Sequence, residues 1–133
     1  MKCKLATATE DGVVSAFVVG LMLTFIVCAG LGVDAGRLVA IRIELADHAE
    51  NAARVGAQEL TDLRSGEPII DESQARSSVS NYLALYDLDG EVTTSSNSVT
   101  VKVNREVEMI VLQLFGTANH LLSVTRTAAP SDH

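Results

Sequence analysis

An uncharged stretch from Gly12 to Val33 is the feature that most limits how this chain can fold. Twelve of its 22 residues are Val, Leu, Ile or Phe. As an α-helix with a rise of about 1.5 Å per residue it is roughly 33 Å long, which is enough to cross the hydrocarbon core of a bilayer. These side chains favour membrane insertion by about 5 kcal/mol, before Ser15, Thr24 and the glycines reduce that figure. We therefore predict a transmembrane helix over residues 13–33.

Small residues recur at every fourth position within and beyond this stretch. Residues four apart are neighbours on a helix surface, so they form a ridge along which a second helix can approach closely. Small residues are also simply common in membrane helices, but this series continues past the first charged residue, which favours helix–helix packing. The members of this small-residue ridge are Ala16, Gly20, Thr24, Cys28, Gly32, Gly36 and Ala40.

Asp34 and Arg37 stand where the uncharged stretch ends, three residues apart on one helix face. One interpretation is a membrane boundary, with Asp34 marking the end of the hydrocarbon and Arg37 reaching the lipid headgroups. The other is a charge pair that fixes the register of the helix against a neighbouring subunit. The first interpretation is favoured, because ionisable residues at the ends of membrane helices usually extend to the interface.

Helical periodicity continues beyond Asp34, so we predict one long helix from about Val13 to about Leu63. Its outer half carries an alanine-rich stripe, which either packs closely within the chain or awaits a partner helix; we expect it to bind sister helices together with the ridge. Gly66 and Pro68 are typical of a helix end. The stripe consists of Ala46, Ala49, Ala52, Ala53, Gly56 and Ala57.

The remaining sequence predicts a small α+β unit. A second helix opens at Asp71-Glu72-Ser73, a turn is expected at Asp89-Gly90, and residues 108–115 are expected to form a short helix. Alternation of apolar and polar residues predicts strands at 91–94, 98–104 and 121–128. The predicted fold class is therefore α+β, a long transmembrane helix continuing outside the membrane with a second helix and about three antiparallel strands. The predicted segments are a leader 1–12, a transmembrane helix 13–33, its continuation 34–63, an α+β domain 64–130 and a tail 131–133.

Composition and motifs argue against several classes of function. The net charge of −7 without a basic stripe does not favour nucleic-acid binding. The glycines from Gly30 to Gly36 lack the preceding strand of a phosphate-binding loop, and His48 has no second His or Cys at helical spacing to share a metal. No set of titratable residues has the spacing of a catalytic motif. We predict no enzyme activity, cofactor, metal or small-molecule substrate.

The chain resembles the TadE/TadG-like proteins of the Tad (Flp) pilus, an offshoot of type IV pilus machinery. The resemblance is clearest over residues 11–60 and looser in the rest of the chain. It is carried by Asp11-Gly12 before the uncharged helix, by Gly32-Val33-Asp34-Ala35-Gly36-Arg37, and by the alanine-rich run from Ala46 to Ala57 with Gln58.

The resemblance implies a pilin-like subunit or assembly factor, anchored in the cytoplasmic membrane by one span, with the N-terminus inside and the C-terminal domain outside. Its implied partners are other pilus or pseudopilin subunits, bound through the long helix. Some members are cut by a prepilin peptidase after a glycine, and Gly12 is the matching position. Pilin-like members have a glutamate five residues later, where this chain has Phe17, which favours the uncleaved, TadG-like type.

A second interpretation stays open: a membrane-tethered binding or sensing module, in which the outer part recognises a ligand outside the cytoplasm and the helix is only an anchor. The charges do not decide the orientation, because Lys2 and Lys4 on one side of the span are balanced by Arg37 and Arg42 on the other.

Overall fold

The computed structural model describes residues 8–61, 69–116 and 119–130. One antiparallel sheet pairs the first two strands, and a second antiparallel sheet holds the last three strands in sequence order. The prediction of an α+β fold with a long N-terminal helix, a second helix and a small antiparallel sheet is confirmed. The elements are α1 (Ala8–Ala57), β1 (Leu60–Thr61), β2 (Ile69–Ile70), α2 (Glu72–Leu85), β3 (Asp89–Ser95), β4 (Ser98–Glu108), a 3-10 helix (Leu112–Phe115) and β5 (Asn119–Ala128).

Helix α1 begins and ends earlier than the sequence predicts. It already includes residues 8–12, and it ends at Ala57 instead of about Leu63. The chain leaves the helix there because Leu60 and Thr61 pair with Ile70 and Ile69, so strand pairing overrides the local helical periodicity. The predicted stop at 64–68, the first seven residues of the leader and the tail 131–133 lie outside the described residues.

The alanine-rich stripe of α1 is the contact surface for the rest of the chain. Its small side chains let α2 and the three-stranded sheet approach closely, and at Gly56 an added Cβ would lie 2.8 Å from Val79 Cγ2 and 3.0 Å from Val99 Cγ1. The expectation that this stripe binds sister helices is therefore wrong, because its residues are covered within the chain. The buried core comprises Leu45, Ala49, Ala52, Ala53, Ala57, Ile70, Ala75, Val79, Leu83, Val99, Val101, Val103 and Val124.

Strand β4 runs along α1 in the opposite direction. Its first residues meet the end of the helix, where Val99 packs on Gly56. Further along, Arg105 Nη1 donates to Glu44 Oε1 at 3.3 Å. The strand therefore leads the chain back toward the uncharged part of α1, and it delivers the residues after Glu108 to the level of Asp34.

Helix α2 starts where the sequence predicts, because Asp71 caps it: one carboxylate oxygen, Oδ1, accepts from the backbone N–H groups of Ser73 at 3.0 Å and Gln74 at 3.1 Å. The turn after α2 comes earlier than predicted, at Tyr86 and Asp87, and Asp87 has a positive φ of 53°.

Asp89 and Gly90, the predicted turn, instead begin β3. Gly90 is needed for close packing, because an added Cβ would lie 2.7 Å from Leu83 Cδ1 and 2.9 Å from the Lys102 carbonyl oxygen. Of the short helix predicted for 108–115, only Leu112–Phe115 is helical, since β4 extends to Glu108.

Candidate functional site on the long helix

The uncharged part of α1 stands almost free of the rest of the molecule. Helix α1 is long and apolar enough to span a membrane, and no residue of its most apolar portion is buried by the rest of the described chain. Except for the half-buried Val27, its large side chains are exposed by 39% to 69%, with Phe17 at 69%. An exposed apolar surface of this extent marks an interaction with lipid or protein.

The small-residue ridge begins on this exposed part, continues beyond it to Ala40, and is open along its length. All seven members are exposed, and a Cβ added at Gly20, Gly32 or Gly36 would meet nothing within 4 Å. Thr24 keeps the ridge apolar, because its hydroxyl donates to the Gly20 carbonyl at 2.9 Å within the helix. Cys28 is a free, exposed thiol on the same ridge.

The ridge also winds around the helix. At about 3.6 residues per turn, each step of four residues advances roughly 40° beyond a full turn, so the six steps from Ala16 to Ala40 cover about two-thirds of the circumference. One crossing helix can therefore contact only a few consecutive members, at the crossing angle of about −40° to −50° that such rows favour.

Gly12, the position that matches a cleavage site, lies inside α1. It is exposed, and an added Cβ there would meet nothing within 4 Å. Cleavage after Gly12 stays a prediction.

A second contact face of α1 carries Gly30 and Asp34, one turn apart. Val111 packs directly on Gly30, where an added Cβ would lie 2.6 Å from Val111 Cγ2. Asp34, only 2% exposed, accepts three backbone hydrogen bonds from the chain after β4. Its Oδ1 accepts from the Ile110 N–H at 3.1 Å, and its Oδ2 accepts from the N–H groups of Val111 at 2.8 Å and Leu112 at 3.0 Å.

This arrangement serves the start of the 3-10 helix. The first N–H groups of a helix have no partner inside it, and a carboxylate placed there satisfies them and interacts favourably with the helix dipole. Burial raises the pKa of Asp34, but the hydrogen bonds from Leu112, Val111 and Ile110 and the charge of Arg37 together outweigh it. The pKa of Asp34 is therefore below its ordinary value, and the carboxylate is ionised at neutral pH.

Neither interpretation of Asp34 and Arg37 in the sequence anticipated this role. Arg37 is exposed, and Asp34 is buried against a loop of its own chain. The position of both residues at a membrane boundary stays a prediction. Sequence reasoning missed Gly30 and Asp34 as a pair. Two sequence features could have indicated the contact. Gly30 and Asp34 are four residues apart and so lie on one helix face, and the run from Met109 to Gly116 carries no charge and therefore favours packing against another surface.

His48 belongs to an aromatic cluster between α1 and α2. Its ring centroid lies 4.6 Å from that of Tyr86 and 6.2 Å from that of Tyr82, and its Nδ1 lies 3.3 Å from the Tyr82 hydroxyl oxygen. Burial raises the pKa of Tyr82 above its ordinary value of 10.0. Glu44, one helical turn before His48, binds Arg105 of β4. The cluster thus works as packing between two helices.

An open groove of about 770 Å³ lies between the end of α1 and the end of β5, with Glu50, Arg54 and Arg126 among its lining residues. Glu50 already forms an ion pair with Arg54. In the ranges 8–61, 69–116 and 119–130, no three His, Cys, Asp or Glu residues are grouped so that they could hold a metal ion.

Comparison of the chain with protein-family models, with curated proteins and with solved structures finds no match. The functional interpretation therefore depends on the sequence and on the geometry of α1.

Proposed function

We propose that this protein is a single-pass membrane protein that acts as a pilin-like subunit or assembly factor of a Tad (Flp)-type pilus. In this proposal α1 crosses the cytoplasmic membrane with the N-terminus inside, and α2 and the sheets lie outside. The partners are other pilus or pseudopilin subunits. The proposal is supported by the sequence resemblance and by one structural observation, the different surroundings of the glycines of α1.

Apart from Gly12 near its start, the glycines of α1 fall into two groups. Gly30 and Gly56 are in contact with valine side chains of the same chain, so their lack of a side chain is explained by the fold itself. Gly20, Gly32 and Gly36 have nothing near them, although glycine in a helix interior costs about 1 kcal/mol relative to alanine. Close approach of a second helix accounts for them, because small residues at such contacts let backbones pack together.

The winding of the ridge favours an assembly of several helices. Because it turns around α1, its inner end near Ala16 and its outer end near Ala40 face different directions. Different neighbours can then contact different parts of the same helix, as in a bundle of subunits. This supports a role in a multi-subunit apparatus more than a role as a simple dimer.

The native thiol on the ridge provides a direct test. In the full-length Cys3→Ser protein, Cys28 is the single cysteine, so thiol crosslinking in native membranes reports neighbours at the ridge. We expect a crosslinked product containing this chain, and we expect Gly32→Leu combined with Gly36→Leu to reduce its yield by about tenfold, since added side chains separate the helices.

A matched control adds bulk away from the thiol. Val33→Phe lies about 140° around the helix from Cys28, and Val33 is exposed, so the yield should stay unchanged. Equal crosslinking in the glycine variants and the control would refute packing through the ridge. Identification of the crosslinked partners by mass spectrometry then tests the pilus assignment, which fails if no pilus or secretion subunit is among them.

The alternative, a tethered binding or sensing module, has the open groove near Arg54 and Arg126 in its favour. It requires only an anchor, so replacement of residues 13–33 by an unrelated membrane helix should leave its function intact. The proposed subunit should lose function in the same exchange.

A further inference from the structure

Residues 109–116, the described part of the loop between β4 and β5, form an apolar segment without a charged side chain. Leu114 is 82% exposed and Ile110 is 56% exposed, while Val111 and Leu112 are half-buried. Large apolar side chains that project together from a loop indicate a surface that contacts something other than water.

The position of this loop along α1 indicates which environment its exposed side chains contact. Val111 packs on Gly30, which lies three residues inside the uncharged stretch that ends at Val33. On a helix, three residues correspond to about 4.5 Å along the axis, so the loop is level with the last turn of that stretch. On the helix beside it, Leu31 and Val33 are exposed as well, and they flank the face that carries Gly30 and Asp34.

Several backbone N–H groups of the loop have hydrogen-bond partners within the protein, as an environment with little water requires. Backbone N–H groups that enter a bilayer must find partners within the protein. Asp34 accepts from the N–H groups of Ile110, Val111 and Leu112, and the Leu114 N–H donates to the Val111 carbonyl at 3.1 Å. A loop exposed only to water would not need these partners, because water would supply them.

We propose that residues 109–116 of the β4–β5 loop are seated in the interfacial layer of the bilayer that α1 crosses, with Ile110 and Leu114 directed into lipid. The loop then forms a second membrane contact beside the transmembrane helix. Together with the hydrogen bonds to Asp34, this contact fixes how the outer part of the protein is oriented relative to the membrane surface. The inference rests on the membrane-spanning part of the proposed function, and it is independent of the assignment to a pilus.

The test measures lipid contact at single positions of the full-length protein. The chain, with Cys3→Ser and Cys28→Ser, is reconstituted in vesicles of phosphatidylcholine and phosphatidylglycerol, and a fluorescent thiol label is attached at Leu114→Cys. Lipids that carry a quencher near the headgroup are then added. Quenching of the label should be at least about twofold stronger than that of a water-exposed reference position, as expected for an apolar segment buried in the interface.

Two leucines serve as matched references. Leu85, at the end of α2, is 78% exposed, so Leu85→Cys carries the same label at nearly the same exposure but far from the uncharged stretch. Leu23, which is 58% exposed in the middle of that stretch, reports whether α1 itself is in the bilayer. We expect strong quenching at 114 by headgroup quenchers, strong quenching at 23 by acyl-chain quenchers, and weak quenching at 85.

The outcomes separate this inference from the proposed function. Quenching at 23 without quenching at 114 overturns the interfacial loop and leaves the membrane-spanning helix intact. A label at 114 that is shielded from water but not quenched by lipid would indicate a second copy of the chain or another protein on the loop, which also overturns the inference. Absence of quenching at 23 would refute the membrane-spanning helix, and the loop inference would fall with it.

Discussion

Gly56 is the position where the packing of α1 against the rest of the chain can be tested most directly. In Gly56→Ala, the new Cβ would lie 2.8 Å from Val79 Cγ2 and 3.0 Å from Val99 Cγ1, whereas carbon atoms in contact prefer about 3.5–4.0 Å. Neither valine can easily move, because both are fully buried and β-branched side chains are restricted at χ1.

The expected magnitude follows from two opposing effects. Forcing an extra methyl group into a packed core costs about 1–3 kcal/mol. Replacing glycine by alanine in a helix gains about 1 kcal/mol. We therefore expect Gly56→Ala to lower the free energy of unfolding by about 1 kcal/mol. For a folded part of this size, that corresponds to a Tm about 4–8 °C lower.

The two tyrosines supply a selective assay. The chain has no tryptophan, and Tyr82 and Tyr86, whose ring centroids are 4.9 Å apart, are its only tyrosines. Both lie where α2 packs on α1. Tyrosine fluorescence or near-UV circular dichroism of the full-length protein in detergent micelles therefore follows unfolding of the outer part, and the signal is not dominated by the membrane-sized helix.

Gly36→Ala is the matched control, because an added Cβ there meets nothing within 4 Å. This change should leave the Tm unchanged or raise it by the helix-propensity gain alone. Val79→Ala combined with Gly56→Ala should show a favourable coupling of about 0.5–3 kcal/mol, since the smaller side chain makes room for the new methyl group. If Gly56→Ala stabilised the protein as much as Gly36→Ala, or if no coupling were found, the close approach at Gly56 would be refuted.

Two further predictions concern carboxylates. Asp34→Ala should speed hydrogen exchange of the amides of residues 110–112 by at least about tenfold, because three charge-assisted bonds are lost, whereas Arg37→Gln should leave it unchanged. Equal exchange in Asp34→Ala and the parent protein would contradict the anchoring role. The hydrogen bonds from Ser73 and Gln74 hold the pKa of Asp71 below its ordinary value of 3.8. Its stabilising effect is thus present above about pH 3.8 and is lost as the pH falls through the lower folded-state pKa. The Tm of the parent protein should therefore decrease more steeply below pH 4 than the Tm of Asp71→Asn, because asparagine caps a helix but does not titrate. Parallel decreases of the two Tm values would contradict the stabilising role of the Asp71 carboxylate.

Local patterns predicted much of the fold correctly. Alternation along residues 98–104 identified β4, and Val99, Val101 and Val103 are indeed its buried positions. The start of α2 followed from Asp71, because a cap acts on residues two and three positions away. The helix end at Ala57 was missed, because it depends on pairing of Leu60 with Ile70, ten residues later, and helical periodicity carries no information about that contact.

For the candidate site, the sequence by itself determined the length of the uncharged helix and the spacing of the ridge, since both follow from residue order and the geometry of an α-helix. Only the tertiary structure decided which face of that helix the chain covers for itself. In the tertiary structure, side chains of the same chain pack on the alanine-rich stripe and on Gly30, whereas Gly20, Gly32 and Gly36 have no neighbour within 4 Å of an added Cβ. It also gave Asp34 partners that are 76 to 78 residues away in the chain, and a hydrogen bond over that separation depends on how the whole sheet lies along the helix.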